Sequence, residues 1–294
     1  MKETVKIDPD LLVSPVFWED AWYEAKKISM MQKKRKTLED TVNFWNQRAE
    51  NFKENVMGEK GRHRVNRVLG WLELQGVPLE GIKVLDIGAG PGPFALAFAE
   101  KAEQVVALEP AENMTDTIRE LINEKGINNI RIIQDTWEEV DLDKEGLRGE
   151  FDLVFASMSP GINSWETIRK ALECSKKYFY VSQFAGRRQS SVMEELWQEV
   201  FGEEMPLWSA HAIYILNLLY ARGFSLDFRV WEEKRTARDT VEEAAAFFIK
   251  EIHLFGREEP YPEEDIRKFL EKRADSGVFS HEMKTRLGKI LVRL

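Results

Sequence analysis

A doubly wound α/β fold, with a mainly parallel sheet of about seven strands, is predicted by three observations. Short apolar, β-prone runs alternate with helix-compatible stretches from Ile82 onward, which is the pattern of a sheet covered by helices on both faces. The first such run passes into a helix through a glycine turn, "VLDIGAGPGPF" (84–94). The first eighty residues and a stretch before the last strand read as helices only. They add an N-terminal helical cap and a late helical insertion.

The cap covers 1–80. "TVNFWNQRAENF" (41–52) places Phe44, Gln47, Arg48 and Phe52 on adjacent turns, and "RVNRVLGWLELQG" (64–76) stops at Gly76 before Pro78. The core, 81–238, takes its strands from "KVLDIG", "QVVALEP", "IRIIQD", "FDLVFAS" and "KYFYVSQF", with helical connections at 113–125 and 164–174. Helices at about 190–201 and 209–222 lead to a sixth strand at 225–235. Asp239 with Glu242 then reads as a capping box, and Pro262 opens a further helix, so 239–282 is expected to be a helical insertion and a possible lid. The last strand of the core is expected within 283–294, at "LGKILVRL". Without internal repeats or low-complexity tracts, these segments are expected to form one unit.

Composition excludes several functions. The chain has 294 residues, 43% of them hydrophobic and 32% charged, enough for one large domain with appendages. Its start shows no apolar run after the first charges, and no eighteen apolar residues follow one another. A signal peptide and a membrane span are therefore not expected, and the default location is the cytoplasm. One cysteine, Cys174, cannot form an internal disulfide, and His63, His211, His253 and His281 lack close ligand spacing; no metal site is predicted. A net charge of −9 argues against a surface that coats nucleic acid. Yet Lys26 to Arg67 holds twelve Lys/Arg against five Asp/Glu. That cluster reads either as solvated helix faces or as a positive rim for an anionic substrate.

Gly88, Gly90 and Gly92 let the chain turn sharply at the carboxyl end of the first strand, so a ligand can approach the backbone. A dinucleotide would need N–H groups at the helix start to hold its pyrophosphate, but Pro91 and Pro93 have none. A ligand without phosphates loses little by this. S-adenosylmethionine is such a ligand.

The ordered set "VLDIGAGPG", "VVALEP" with Met114 beyond it, "IIQDTWEEV" and "FDLVFAS" resembles the class I S-adenosylmethionine-dependent methyltransferases over roughly 82–185. The resemblance implies a Rossmann-like core and a cofactor site. Asp86 with Gly88, Ala89, Gly90 and Gly92 would take the methionine part, and Glu109, followed by Pro110, would accept from the ribose hydroxyls. Met114 would pack on the adenine, Asp135 and Thr136 would face its amine, and Trp137 would wall the pocket. Ser157 would lie beside the cofactor at the end of the fourth strand. Trp45, Met158, Ser159, Pro160 and Phe184 would line the acceptor pocket. The family's base-amine methylating members carry an Asn or Asp, two prolines and an aromatic where this chain has "SMSP".

Methyl transfer needs mainly alignment in a dry pocket. Where the acceptor starts protonated, His211 or Tyr214 could take the proton. Trp45, Phe52, Phe247, Phe248 and Phe255 could enclose an apolar substrate, although aromatics at helical spacing also build cores. A small-molecule or metabolite acceptor is expected, with RNA or protein as the alternative. A nicotinamide- or flavin-dependent oxidoreductase and a non-catalytic cofactor-binding scaffold stay open. The oligomeric state is not legible.

Overall fold

The computed structural model describes residues 8–27, 37–47, 57–186, 190–205, 211–254 and 261–294. Gln47 is thus the last described residue of the 41–52 stretch, and Phe52 and Phe255 lie outside the described residues.

Helices α1 (Pro9–Leu12), α2 (Pro15–Lys27), α3 (Leu38–Asn46) and α4 (Glu59–Leu74) precede the sheet. The alternating core follows as β1 (Lys83–Ile87), α5 (Pro93–Ala99), β2 (Gln104–Leu108), α6 (Glu112–Lys125), β3 (Ile130–Ile133), β4 (Phe151–Ser157), α7 (Trp165–Cys174) and β5 (Ser175–Phe184). Then come α8 (Ser191–Phe201), α9 (Ala212–Ala221), β6 (Ser225–Thr240), α10 (Val241–Leu254), α11 (Glu263–Glu271) and β7 (Val278–Arg293). The seven strands are ordered β3-β2-β1-β4-β5-β7-β6. Strands β1 to β5 pair in parallel, and β7 is antiparallel to both β5 and β6.

Period-two alternation assigns each strand residue to one of two cores. On one face, Val84, Val105, Phe155, Tyr180 and Leu291 pack under Val68, Trp71, Phe94 and Phe98 of α4 and α5. On the other, Ile87, Val106, Val154, Phe179 and Ile290 pack with Trp22 of α2, Ile168 of α7 and Ile215 and Leu218 of α9. The N-terminal helices are therefore divided between the two faces. On the second face, Arg222 pairs with Glu19 and lies 3.7 Å from the Trp165 ring centroid.

The late strands depart from expectation. β6 runs to Thr240 and β7 begins at Val278, and the two stay paired from Ser225↔Arg293 to Thr240↔Val278. The insertion between them contracts to 241–277. Its capping box is Thr240 with Glu243, not Asp239 with Glu242: the Thr240 amide donates to the Glu243 carboxylate, and the Glu243 amide donates to Thr240 Oγ1. The cause is the longer ladder, which carries Asp239 as a strand residue. α10 and α11 pack with α8 and Phe279 of β7 in a third core containing Trp197, Phe248 and Phe269.

Candidate cofactor and acceptor site

The site is built at the carboxyl end of β1, beside the reversal of strand order between β1 and β4. Gly88 has φ +71°, a left-handed backbone that strains any residue with a Cβ. A Cβ there would also lie 2.4 Å from Ser159 Oγ. The turn can therefore close against β4 only with glycine.

Glu109, one residue beyond β2, holds this turn. Its carboxylate accepts from the Gly90 amide at 2.9 Å and the Ala111 amide at 3.0 Å. It is 5% exposed, and burial raises its pKa against the pull of those two amides. A carboxylate offers about four acceptor positions, so two are left for a diol. Asp86 is 1% exposed, and its Oδ2 has no hydrogen-bond partner. Burial first, and the nearby Glu109 second, push its carboxyl up to about 8, against an opposing bond from the Ala95 amide. Among the described residues, no cation pairs with either acid.

The second wall comes from β2, β3 and the cap. Met114 and Ala111 are buried, with Trp45 of α3 packed on them. The α3 end is tied down by Asn113, whose amide donates to Asn46 Oδ1 at 3.2 Å. Trp45 therefore stands on the Met114 side of the turn, not among the β4 residues with which the sequence grouped it. Pro110, Asp135 and Thr136 are half-buried, and Asp135 Oδ1 accepts from the Thr136 amide at 2.7 Å. Trp137 is not a free wall. Its ring is 2% exposed in the core, and its N–H donates to the Thr167 carbonyl at 3.0 Å.

At the end of β4, Ser157 Oγ accepts from Arg64 Nη2 at 2.9 Å and lies 3.2 Å from Ser182 Oγ. Met158 has φ +57°, uncommon for a side chain of its size, and its amide donates to the Ser182 carbonyl at 3.0 Å. Ser159 turns inward onto Gly88 and accepts from the Gly161 amide, leaving Pro160 exposed. Phe184 ends β5, half-buried, opposite Leu287.

The two suggested proton acceptors are placed elsewhere. His211 caps α9, and its ring stacks on Tyr214 with centroids 6.5 Å apart. Tyr214 packs against the α2–α7–α9 core, whereas Ser157 belongs to the opposite face of the sheet, in step with Phe155. Burying the α9 stripe requires that placement.

Arg64, Ser182, Tyr180 and Lys289 were not singled out as site residues by sequence reasoning. The signal for Arg64 was its position: it shares the inward side of α4 with Gly61, Val65, Val68 and Trp71, which are buried. For Lys289 it was a cation at the head of the apolar run "KILV" (289–292), on the same alternation as Leu287 and Leu291, both buried.

Residues 84–178 match a family described as a methyltransferase domain. An uncharacterized protein of Haemophilus influenzae is 27% identical over 195 residues, covering 64% of this chain and 66% of that protein. A probable ribosomal RNA small subunit methyltransferase A of Methanosphaera stadtmanae is 33% identical over 109 residues, covering 36% of this chain and 38% of that protein. The chain thus spans less than two thirds of the length of either relative. The crystal structure of the YcgJ protein of Bacillus subtilis superposes with a TM-score of 0.50 at 17% identity, covering 78% of this chain and 99% of that one; it shares the fold.

Proposed function

We propose that this chain is a class I S-adenosylmethionine-dependent methyltransferase that transfers the cofactor's methyl group to a small molecule or metabolite held at the carboxyl ends of β4 and β5; the methyltransferase-domain match over residues 84–178 supports the reading. One observation carries the reading: Asp86 is a buried acid with an unpaired oxygen, set beside buried Glu109 at a turn that only glycine can form. Such a pair is costly unless a cation with further hydrogen-bond donors is to be received there. S-adenosylmethionine fits, because it brings an ammonium, a sulfonium and a ribose diol.

When bound, the cofactor supplies a methyl group on an activated leaving group. The chain supplies placement. Glu109 fixes the turn through Gly90 and keeps two acceptor positions for the ribose, while Asp86 favours the ammonium. Met114 and Trp45 give the adenine an apolar wall. The Ser157–Met158 end of β4 faces the transfer path. Alignment of this kind can lower a barrier by roughly 7–11 kcal/mol without covalent help from the protein. A pyrophosphate-binding oxidoreductase is disfavoured by Pro93 at the first turn of α5. An RNA acceptor is disfavoured because Arg67 pairs with Glu233 and Arg64 is turned onto Ser157.

Calorimetry with S-adenosylhomocysteine tests the cofactor site. Glu109→Ala removes two hydrogen bonds to a charged group, each worth roughly 1.5–3 kcal/mol, and the diol's acceptor. Affinity is expected to fall at least tenfold. Unchanged affinity refutes the role of Glu109, and preferential binding of NAD refutes the cofactor assignment.

A further inference from the structure

Beyond the end of β4, the same face of the sheet carries a row of polar side chains through strands that have no part in the cofactor site. Ser157 pairs in register with Ser182 of β5, Ser182 with Lys289 of β7, and Lys289 with Arg229 of β6. Register partners point to the same side of a sheet. Lys289 thus stands two strands from Ser157, about 10 Å away. Tyr180 belongs to the same face and stacks on Phe155.

Lys289 is 1% exposed, and its ammonium nitrogen has no hydrogen-bond partner. It lies between two indoles, against Trp231 and 5.5 Å from the Trp71 centroid. The acid that could neutralise it is engaged: Glu233 pairs with Arg67, which stacks 4.4 Å over Trp231. Arg64 enters the same space from α4 and spends one donor on Ser157. Three basic side chains, Arg64, Arg67 and Lys289, therefore share one carboxylate, with Arg229 next in the row. A buried ammonium with no acceptor is costly to keep. Ser182, its register partner on β5, and the Arg64 guanidinium add further donors for an oxyanion.

We propose that the methyl acceptor is an anionic molecule whose carboxylate or phosphate is received by Lys289, Arg64 and Ser182. This rests on the methyltransferase reading for its account of what the bound molecule does, but not for the binding itself. The amine's own state agrees: burial, then Arg67, bring Lys289 down to about 6. At pH 7 it is mostly neutral, so an arriving anion would draw a proton onto it.

The probes are benzoate, phenyl phosphate and the neutral isostere benzamide, titrated into protein saturated with S-adenosylhomocysteine. At least one anion should bind tenfold or more tightly than benzamide, with proton uptake at pH 7, and Lys289→Met should abolish that preference. The tighter of the two anions names the group. If the variant misfolds, the Lys289 side-chain resonance of the wild-type protein decides: its titration must move to higher pH when the anion is present. Equal binding of benzoate, phenyl phosphate and benzamide, or a Lys289 titration indifferent to them, overturns the proposal. If S-adenosylhomocysteine does not bind, the methyltransferase reading falls by itself, and the same titrations on the free protein still decide whether this is an anion site.

Discussion

The two halves of the sheet handle buried charge in opposite ways. On the β3-β2-β1-β4 side the strands are four to seven residues long, and the buried acid Glu109 is held by the amides of Gly90 and Ala111. On the β5-β7-β6 side the strands run to ten and sixteen residues, and the buried base Lys289 is held by aromatic faces with no hydrogen-bond acceptor. One half is organised by local backbone geometry, and the other by long-range side-chain encounter. The acids prepare for a cation and the bases for an anion, so the contrast follows the two reactants.

The contrast can be broken by one kind of substitution made on both sides. At Gly88 an added Cβ meets Ser159 Oγ at 2.4 Å and must hold a left-handed backbone. At Gly288 it meets Ala212 Cβ at 2.6 Å, Phe228 at 3.1 Å and Ala185 at 3.3 Å. Each change overpacks the fold and should lower stability by roughly 1–3 kcal/mol, with strain added at Gly88. The cofactor separates them. Gly88→Ala should abolish measurable binding of S-adenosylhomocysteine, whereas Gly288→Ala should leave its affinity within about twofold, since α9 lies on the other face. Equal losses would mean that the halves are not independent.

A smaller effect sharpens the electrostatic half of the comparison. The carboxyl of Asp86 stands at about 8, above its ordinary 3.8. The folded protein therefore binds more protons than the unfolded chain between these values, and this group's contribution to stability falls as pH rises through that window. Asp86→Asn should remove that slope and make the ligand-free protein more stable than wild type at pH 8. It should also weaken S-adenosylhomocysteine, whose ammonium loses its partner. In the wild type, binding at pH 7 should release close to one proton, measurable by calorimetry in buffers of different ionisation enthalpy. No release would show that the ammonium does not meet Asp86.

Legibility in the sequence divides along the same line. The succession of β1 to β5, the glycine turn and the acids at 86 and 109 could be read because each lies in or directly after its own short apolar run, even though Glu109 reaches back to the Gly90 amide. Arg64 could be read only as one charge among twelve in the basic segment, since its inward direction depends on which side of α4 meets β4. Alternation with Leu287 and Leu291 marks Lys289 as inward-facing, but its place beside Ser182 needed the register of β7 with β5, which no local pattern supplies. The early start of β7 was missed although Phe279, His281 and Met283 alternate inward with exposed Ser280 and Glu282. The polar side chains between them resemble a loop, and the helical insertion drew the boundary too late. Trp137 and Met114 illustrate the remaining ambiguity: both are buried, but only Met114 lies next to the cap residue Trp45.

The smallest expected effect concerns the insertion, which extends the β6–β7 side of the molecule. Its apolar stripe, Val241, Ala245, Phe248 and Ile252, is buried with Met193, Leu196 and Trp197 of α8, Phe269 and Leu270 of α11, and Phe279 of β7. Lys272 and Arg273, which follow α11, reach Glu199 of α8 at 3.2 and 3.1 Å. Opening this layer would expose several side chains whose burial contributes roughly 1.5–3 kcal/mol each. We therefore propose that α10 and α11 support the long hairpin and do not close over the acceptor. Hydrogen exchange with and without S-adenosylhomocysteine plus benzoate is the check, with the α2 and α9 amides as the reference for any general stabilisation by ligand. Protection of α10 and α11 should change no more than in that reference. A rise confined to α10 and α11 when both ligands are present would instead make the insertion a closing lid, and would couple the anion-binding half of the sheet to the cofactor half through movement.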